Sequence, residues 1–324
     1  MCIRDRAIKP SPSMAAKTRV DQLRAEGRDI IDFTVGEPDL PTPAHIVQAG
    51  IDTLNSGDIR YTASAGAKPL LQAVRAKFQR ENGLDYGLDE LIVGVGAKQL
   101  IFTALAATVQ AGDEVIIPAP YWVSYPDMVL VNDGTPVVVA CPEADGFKLT
   151  PQALEAAITP RTKWVLLNTP SNPTGAMYGA DELRALGEVL ARHPQVWLMT
   201  DEIYEHLAYG QARHASPAAV VPALAARTLT INGVSKAYAM TGWRLGYAGG
   251  PKALIKAMAT LISQSTSCVS AISQSAARVA LTADQRCVSD AAAVFHQRRD
   301  RIVALLNAVP GIRCPQPQLS LIHI

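Results

Sequence analysis

The second half of the chain carries an amine, a carboxylate, a phenol and an amide in three short motifs. Lys236 lies in the segment 232–244, which ends at Arg244. The segments 201–204 (Asp-Glu-Ile-Tyr) and 172–175 (Asn-Pro-Thr-Gly) precede it. Partial burial and a nearby cation lower the pKa of a lysine amine, which makes that amine nucleophilic toward an aldehyde. These motifs therefore predict a site at which Lys236 bonds to a carbonyl carbon.

A second set of residues predicts a site for a phosphate group. Gly96, Ala97 and Lys98 open an apolar helix, whose free N–H groups and positive dipole end point at one place. Arg244 offers a bidentate guanidinium, and Ser235 offers a hydroxyl. The alternatives are that Gly96 is only a turn glycine and that Lys98 is only a surface lysine at a helix start.

The order of these motifs resembles that of the class I and II aminotransferases of fold type I, and within them the bacterial aspartate aminotransferase subgroup Ib. The resemblance extends from about Ile8 to about Pro317. It implies the cofactor pyridoxal 5'-phosphate, held as a Schiff base on Lys236, which also moves the substrate proton. It implies Asp201 as the partner of the ring nitrogen, where a carboxylate keeps the ring protonated and able to accept electrons.

The resemblance also assigns contacts to the ring and to the phosphate. Tyr204 and Asn172 are implied to bind the 3-oxygen of the ring, and Asn172 also binds the substrate carboxylate. Trp122 resembles the aromatic residue that stacks on the ring face. Tyr61 matches a tyrosine that reaches the phosphate of the neighbouring subunit, which implies a homodimer with shared active sites. The residues implied to hold the phosphate within one chain are Gly96, Ala97, Lys98, Ser235 and Arg244.

The resemblance extends to the substrate. Gly36 matches a glycine whose N–H approaches the substrate α-carboxylate, which the lack of a Cβ allows. Lys98 and Ser13 match positions that hold the distal group of a dicarboxylate. We therefore expect transfer of an amino group from aspartate or glutamate to a 2-oxo acid, in two half-reactions. Prephenate or aromatic substrates are alternatives within the subgroup. In the family, the arginine that mainly binds the substrate α-carboxylate would fall beyond Gln318. No residue of this chain is therefore assigned to that role.

Other classes of protein compete with this interpretation. Gly94 and Gly96 begin like the dinucleotide loop of a nicotinamide oxidoreductase, but Gln99 stands where the third glycine is needed. A carbon–sulfur lyase or an aminocyclopropane carboxylate synthase would share the scaffold, and analysis of the products distinguishes them from an aminotransferase. A regulator with an aminotransferase-like domain would carry a DNA-binding helix-turn-helix, and none precedes Ala7.

The composition gives no sign of nucleic-acid or membrane partners. Of the 324 residues, 48% are hydrophobic and 18% are charged, and the formal net charge is +1. This balance creates no basic field for nucleic acid. No apolar run approaches the roughly 20 residues of a membrane span, and no secretory leader is evident. The five cysteines are scattered without a Cys-x-x-Cys pair, which favours reduced thiols, a cytoplasmic location and no metal site.

Alternating helices and strands must position these residues, and their alternation predicts an α/β fold. Predicted helices cover residues 15–26, 68–82, 96–109, 125–131, 151–158, 180–192, 253–281 and 284–308, and another starts at Thr42-Pro43. Predicted strands cover residues 30–33, 114–117, 137–140, 164–167, 196–200, 228–231 and 245–248. The resemblance implies a mostly parallel seven-stranded sheet between helices, with a smaller α/β domain. It also implies a cis peptide at Asn172-Pro173, and Pro120 is a second candidate.

We expect two domains. Residues 40–260 would form the large cofactor-binding domain, and residues 7–39 and 261–318 the smaller one. Residues 1–6 and 319–324 resemble a sequencing adapter, because their possible codons are reverse complements of each other, and they are left out of the fold. On this interpretation the chain is an internal fragment that is cut on its C-terminal side.

Overall fold

The computed structural model describes residues 11–210 and 213–318. The helices are α1 (Pro12–Ala25), α2 (Ala44–Ser56), α3 (Lys68–Lys77), α4 (Ala97–Thr108), α5 (Tyr125–Leu130), α6 (Pro151–Ala157), α7 (Ala180–Ala191), α8 (Pro217–Val220), α9 (Lys252–Ser265), α10 (Ala271–Thr282) and α11 (Arg286–Asn307). The strands are β1 (Leu91–Gly94), β2 (Glu114–Ala119), β3 (Thr135–Ala140), β4 (Thr162–Asn168), β5 (Trp197–Asp201), β6 (Thr228–Gly233) and β7 (Gly246–Gly249).

The strands form one seven-stranded sheet in the order β1-β7-β6-β5-β4-β2-β3. β7 runs antiparallel to both of its neighbours, and the other pairs are parallel. Parallel neighbours need long crossover connections, which are usually helices packed on the faces of the sheet. The predicted α/β class and the mostly parallel seven-stranded sheet are therefore confirmed.

Both faces of the sheet are buried, and the alternation of side chains along a strand explains how. Ile117, Leu166 and Met199 pack in one hydrophobic cluster with residues of α4 and α9. Their chain neighbours Ile116, Val165 and Leu198 pack in another cluster with residues of α6 and α7. Successive side chains of a strand point to opposite faces, so an unbroken apolar run is what a sheet covered on both sides requires.

The carboxyl ends of β4, β5 and β6 meet at one edge of the sheet. Asn168, the last residue of β4, is in register with Asp201, the last residue of β5. Asp201 is in register with Ile231 of β6. The segments that follow these strands carry Asn172, Tyr204 and Lys236. Because the three strands are parallel neighbours, these segments start side by side.

The strand predicted at residues 30–33 is wrong. The structure gives this segment no regular secondary structure, and the side chains of Ile31 and Phe33 are 79% and 78% exposed. The carbonyl of Ile30 accepts a hydrogen bond from the guanidinium of Arg24. β-branched and aromatic residues favour a strand only where a neighbouring strand packs beside them. Within residues 11–210 and 213–318, no strand pairs with this segment.

Two predicted helices and one strand also differ from the sequence prediction. The helix predicted over residues 253–281 is broken into α9 and α10, and Ser267 between them has a left-handed φ of 61°. The residues at the break are short and polar, and such residues hydrogen-bond locally instead of continuing a helix. α3 is followed by a π-helical turn at Phe78–Asn82. β1 was not predicted, since four residues are too few for a periodic pattern.

The helices after residue 260 pack on different parts of the structure. α10 packs against α2 and α3, whereas α11 contacts the turn that follows Tyr204. The division into residues 7–39, 40–260 and 261–318 stays a prediction. The segments 1–6 and 319–324, expected to derive from an adapter, lie outside the described residues. Among the helices of the described residues, none combines the length and the apolar character that crossing a membrane requires.

Replacement of Gly246 by alanine should destabilise the fold, because β7 lies directly against the start of α4. A Cβ at Gly246 would lie 2.4 Å from the backbone nitrogen of Ala97 and 2.6 Å from the carbonyl carbon of Gly96. We expect urea denaturation to show a loss of about 1–3 kcal/mol in the free energy of unfolding, as for other overpacked sites. Gly242→Ala is the control, since a Cβ there meets nothing within 4 Å. Equal stability of the two variants would contradict this close approach.

Candidate active site

Lys236 lies in the turns that follow β6. Its Nζ donates a hydrogen bond of 2.6 Å to the carbonyl oxygen of Gly36 and lies 5.7 Å from the ring centre of Tyr204. Burial lowers the pKa of Lys236, and Arg244 adds to this effect, while the negative charges of Glu37 and Asp201 oppose it. The amine is therefore more easily deprotonated than an exposed lysine, as a nucleophile requires.

Asp201 is a buried carboxylate at the end of β5. Its Oδ2 accepts a hydrogen bond of 2.8 Å from the hydroxyl of Tyr125, and its Oδ1 accepts one of 3.3 Å from the backbone N–H of Ile203. Desolvation raises the pKa of Asp201 to about 6, although both hydrogen bonds and the charge of Lys236 lower it. A buried carboxylate whose hydrogen bonds come from neutral groups is poised to take a cationic partner.

Tyr204 and Asn172 lie together beside Lys236. The amide Nδ2 of Asn172 is 3.4 Å from the hydroxyl of Tyr204, and its backbone N–H donates to Oδ1 of Asn168 at 2.6 Å. Desolvation raises the pKa of Tyr204, so its hydroxyl keeps its proton and can donate a hydrogen bond. The predicted cis peptides at Asn172-Pro173 and at Pro120 are confirmed. A third cis peptide, at Thr169-Pro170, was not predicted.

The start of α4 meets the guanidinium of Arg244. Gly96 has a left-handed φ of 82° and precedes the first helical residue, Ala97. A Cβ at Gly96 would lie 2.7 Å from Nη2 of Arg244, so the arginine packs directly over this glycine. The first turn of α4 has no acidic residue. Free N–H groups, the helix dipole and a guanidinium fork together favour a doubly charged anion such as a phosphate.

Lys98 and Trp122 complete this side of the site. Nζ of Lys98 lies 4.6 Å from the ring centre of Trp122, and the Trp122 ring meets the Tyr125 ring edge to face. Desolvation and the charge of Arg244 lower the pKa of Lys98. Ser235 is buried next to Lys236 in the chain. The structure therefore places a second amine and an aromatic face beside the start of α4.

Gly36 belongs to a loop that is held on both sides of the site. Its carbonyl accepts the hydrogen bond from Lys236, and Glu37 accepts a hydrogen bond from the hydroxyl of Thr241. Asp39 forms an ion pair of 2.6 Å with Arg298 of α11. These contacts anchor the loop between the turn before β7 and the last long helix.

Tyr61 and Ser13 are the predicted site residues that the structure does not bring to this cluster. The Tyr61 side chain is 91% exposed, and Ser13 lies in the first turn of α1. In the described part of the chain, no hydrogen bond or ring contact joins either residue to those above. The role predicted for Tyr61 needs a second subunit, and the role predicted for Ser13 needs a bound substrate.

Tyr125 is a residue of the site that the sequence did not predict. Its hydroxyl holds Asp201, and its ring supports Trp122. The signal available in the sequence is weak, because a tyrosine at the start of a short helix is ordinary. The contact with Asp201 depends on how α5 packs beside β2 and β3, which is a tertiary property.

The residues present fit pyridoxal 5'-phosphate. The anion site at Gly96 and Arg244, the amine of Lys236 and the buried carboxylate of Asp201 all face one region. The guanidinium fills the space that a Cβ at Gly96 would need. Asp201 accepts its hydrogen bonds from neutral groups, which leaves it suited to a protonated ring nitrogen.

The comparison with known families agrees with this arrangement. The family model described as aminotransferase class I and II matches residues 28–324. The chain belongs to this family. The chain is therefore an aminotransferase of a pyridoxal-phosphate-dependent family. Gly94 and Gly96, considered above as a dinucleotide loop, are the last residue of β1 and the residue before α4.

Named relatives of this family cover almost the whole chain. The aspartate aminotransferase of Rhizobium meliloti (strain 1021) is 52% identical over 312 residues, which are 96% of this chain and 76% of the relative. The aspartate/prephenate aminotransferase of Cereibacter sphaeroides is 53% identical over 311 residues, with 96% of this chain and 78% of the relative covered.

Solved structures of the family share the fold. The crystal structure of the Rhizobium meliloti aspartate aminotransferase has a TM-score of 0.96 and 52% identity, with 99% of this chain and 80% of that chain covered. The Thermus thermophilus aspartate aminotransferase solved with maleate has a TM-score of 0.89 and 43% identity, with 95% of this chain and 79% of that chain covered. The predicted fold type I is thereby confirmed.

Removal of the Tyr125 hydroxyl should raise the pKa of Asp201 further above 6. The Tyr125→Phe variant deletes a hydrogen-bond donor to the ionised carboxylate and leaves the burial of that carboxylate unchanged. Carbon NMR of labelled aspartate carboxyl groups in the cofactor-free chain measures the change. Tyr86→Phe is the control, since it deletes another buried hydroxyl, which is bonded to Thr230. An Asp201 titration that is identical in Tyr125→Phe and the unmodified chain would contradict this assignment.

Proposed function

We propose that the chain transfers the amino group of aspartate or glutamate to a 2-oxo acid, with pyridoxal 5'-phosphate held at the site described above. The observation that carries the proposal is the position of Lys236 and Asp201. Asp201 ends β5 and Lys236 lies on the segment that leaves the parallel neighbouring strand β6, beside the proposed anion-binding start of α4. When bound, the cofactor supplies an aldehyde that condenses with amines and a protonated ring that accepts electrons.

Lys236 is the proposed nucleophile and proton carrier. Its lowered pKa raises the fraction of free amine near neutral pH. Within the described residues, its Nζ donates to one acceptor, the carbonyl oxygen of Gly36, from which it must turn to react. As a free amine, Lys236 would hold and return the proton at the substrate Cα.

Asp201, Tyr204 and Asn172 are the proposed ring contacts. With a pKa near 6, Asp201 is largely ionised at neutral pH and can hold a positively charged ring nitrogen. The Tyr125 hydroxyl keeps this carboxylate in place. Tyr204 and Asn172 would donate to the ring oxygen, and Trp122 would cover the ring face. These four contacts orient the ring without supplying a nucleophile of their own.

The phosphate would lie between the start of α4 and Arg244. Ala97 contributes a backbone N–H group, Ser235 a hydroxyl, and Arg244 two guanidinium N–H groups. Gly96, whose own N–H donates to the carbonyl of Gly94, leaves the space that the guanidinium of Arg244 fills. We propose that Tyr61 of a second copy completes this set in a homodimer. The proposal is supported by the 91% exposure of Tyr61 and by the exposure of Ile31, Phe33 and Ile59, since large exposed apolar side chains favour an interface. The free cysteines support a cytoplasmic location.

The choice of a dicarboxylic substrate rests on Lys98. Its amine lies beside Trp122 and close enough to Arg244 to feel its charge. With Ser13 it would bind the distal carboxylate of aspartate or glutamate, and Gly36 would approach the α-carboxylate. Prephenate is a second candidate, because relatives such as that of Nitrosomonas europaea are named aspartate/prephenate aminotransferase. Prephenate also carries a carboxylate apart from its 2-oxo acid group.

Borohydride reduction in the presence of pyridoxal 5'-phosphate should label Lys236. Peptide mass mapping of the 324-residue chain should find the reduced cofactor on the peptide that contains Lys236, and Lys236→Ala should abolish it. Lys98 is the internal control, since it is a second amine of the site with a lowered pKa. Label on Lys98, or label that persists on a Lys236→Ala chain, would refute the assignment. A folded chain without label, judged by circular dichroism, would refute the cofactor site itself.

Lys98→Ala should impair dicarboxylic substrates selectively. We expect the KM for aspartate to rise by about tenfold or more, as for the loss of a charge-assisted contact, while the KM for phenylalanine changes much less. Steady-state rates with both amino acids measure the difference. Lys256→Ala, which removes the same charge from an exposed face of α9, is the control. A uniform rise for both substrates would contradict the proposed role in distal-group binding.

A further inference from the structure

A cluster of buried polar side chains lies next to the site but takes no part in the proposed chemistry. We call it the Glu205 cluster. Its members are Lys77, Asn82, Glu202, Glu205, His214, Ser216 and Asn232, and their side chains are buried. They come from α3, from the turn after it, from the segments after β5 and before α8, and from β6. A polar group so deeply buried is costly unless its partners are well placed.

Glu205 is the centre of the cluster and follows Tyr204 directly in the chain. Its Oε1 accepts hydrogen bonds from Nδ2 of Asn232, at 2.7 Å, and from Nζ of Lys77. Its Oε2 accepts one from Nδ2 of Asn82 at 2.6 Å. The carboxylate therefore binds three donors from two separate parts of the chain, the helical stretch of Lys77 and Asn82 and the strand of Asn232.

Asn232 links this carboxylate to the segment of Lys236. It is fully buried at the penultimate position of β6, four residues before Lys236. Its Nδ2 donates to Glu205, and its Oδ1 accepts a hydrogen bond of 2.7 Å from the N–H of Gly233. One side chain thus holds the peptide at which the chain leaves the sheet toward Lys236.

The positive charges around Glu205 strengthen its hydrogen bonds, including the one from Asn232. Desolvation raises the pKa of Glu205, but the positive charges of Lys77, His206 and His214 lower it far below its ordinary value. The carboxylate is therefore ionised, and its hydrogen bonds are charge-assisted, which makes them shorter and stronger than neutral ones. Other acidic groups of the region have partners of their own, since Glu81 bonds to His206, and Glu202 bonds to Ser216 and His214.

We propose that Asn232 is a positioning residue for Lys236. Its amide, anchored on Glu205, holds the start of the Lys236 segment against the segment that carries Asp201 and Tyr204. The inference rests on the proposed role of Lys236 as the amine that bonds to the cofactor. Loss of the anchor would leave the amine present but less often in position, and small misplacements of reacting groups slow a reaction strongly.

A matched pair of variants tests this inference. Asn232→Ala and Asn82→Ala each remove one amide that donates to Glu205, but only Asn232 lies on the segment of Lys236. The probe is pyridoxal 5'-phosphate added to the 324-residue chain. The readout is the rate at which borohydride-reducible label appears on Lys236 across a range of pH. Urea denaturation of both variants measures the accompanying loss of stability.

We expect Asn232→Ala to slow this labelling by about tenfold or more. We also expect it to change the pH at which the labelling rate is half of its maximum. Asn82→Ala should lower the free energy of unfolding to a similar extent and leave both labelling properties unchanged. Should Asn232→Ala fail to fold, Asn232→Ser replaces it, because a hydroxyl can still accept from Gly233 and is too short to reach Glu205.

The outcomes separate this inference from the proposed function. Equal labelling of the two variants, whether slowed in both or normal in both, would overturn the positioning role and reduce the cluster to a stabilising element. Absence of label on Lys236 in the unmodified chain would instead overturn the proposed function and this inference with it. Slowed labelling confined to the Asn232 variants supports both.

Discussion

The parallel alignment of β4, β5 and β6 is the constraint on which the site depends. Strands that run in the same direction end at the same edge of the sheet, and here the register pairs Asn168 with Asp201. The chain leaves this edge three times, twice by crossover connections to the parallel strands β5 and β6 and once on the way to the antiparallel strand β7. Each departure carries functional groups, so the topology itself assembles an amide, a carboxylate and an amine from distant parts of the sequence.

Two buried carboxylates, Asp201 and Glu205, lie near this edge of the sheet in opposite electrostatic surroundings. Asp201 receives hydrogen bonds from the neutral groups of Tyr125 and Ile203, so burial dominates and its pKa rises. Glu205, four residues later, faces Lys77 and is held ionised. One carboxylate is thus kept ready for an external cation, whereas the other already has an internal one. This difference suggests why only the first is suited to bind a cofactor ring.

Local signals allowed much of the site to be predicted from the sequence. Lys236, Asp201 and Gly96 lie in motifs whose meaning depends on a few neighbouring residues, and the strands that lead to Asp201 and Lys236 contain residue types that favour strands. Contacts between distant elements could not be predicted, because they depend on packing. Tyr125 reaches Asp201 across 76 positions, and Lys77 reaches Glu205 across 128. The false strand at residues 30–33 has the same origin, since a strand is defined by a partner that its own residues do not reveal.

The close packing of Gly96, Gly246 and Arg244 has a consequence for redesign. Arg244 has a left-handed φ of 54°, its guanidinium lies against Gly96, and Gly246 lies against the same stretch of backbone. The proposed phosphate site therefore has no space for a Cβ at Gly96 or at Gly246. The size of this site cannot be changed by substituting one of these residues alone, because each of them packs against another. A pocket for a larger anion would require all three to be changed as one unit, and the effects of single substitutions would not add.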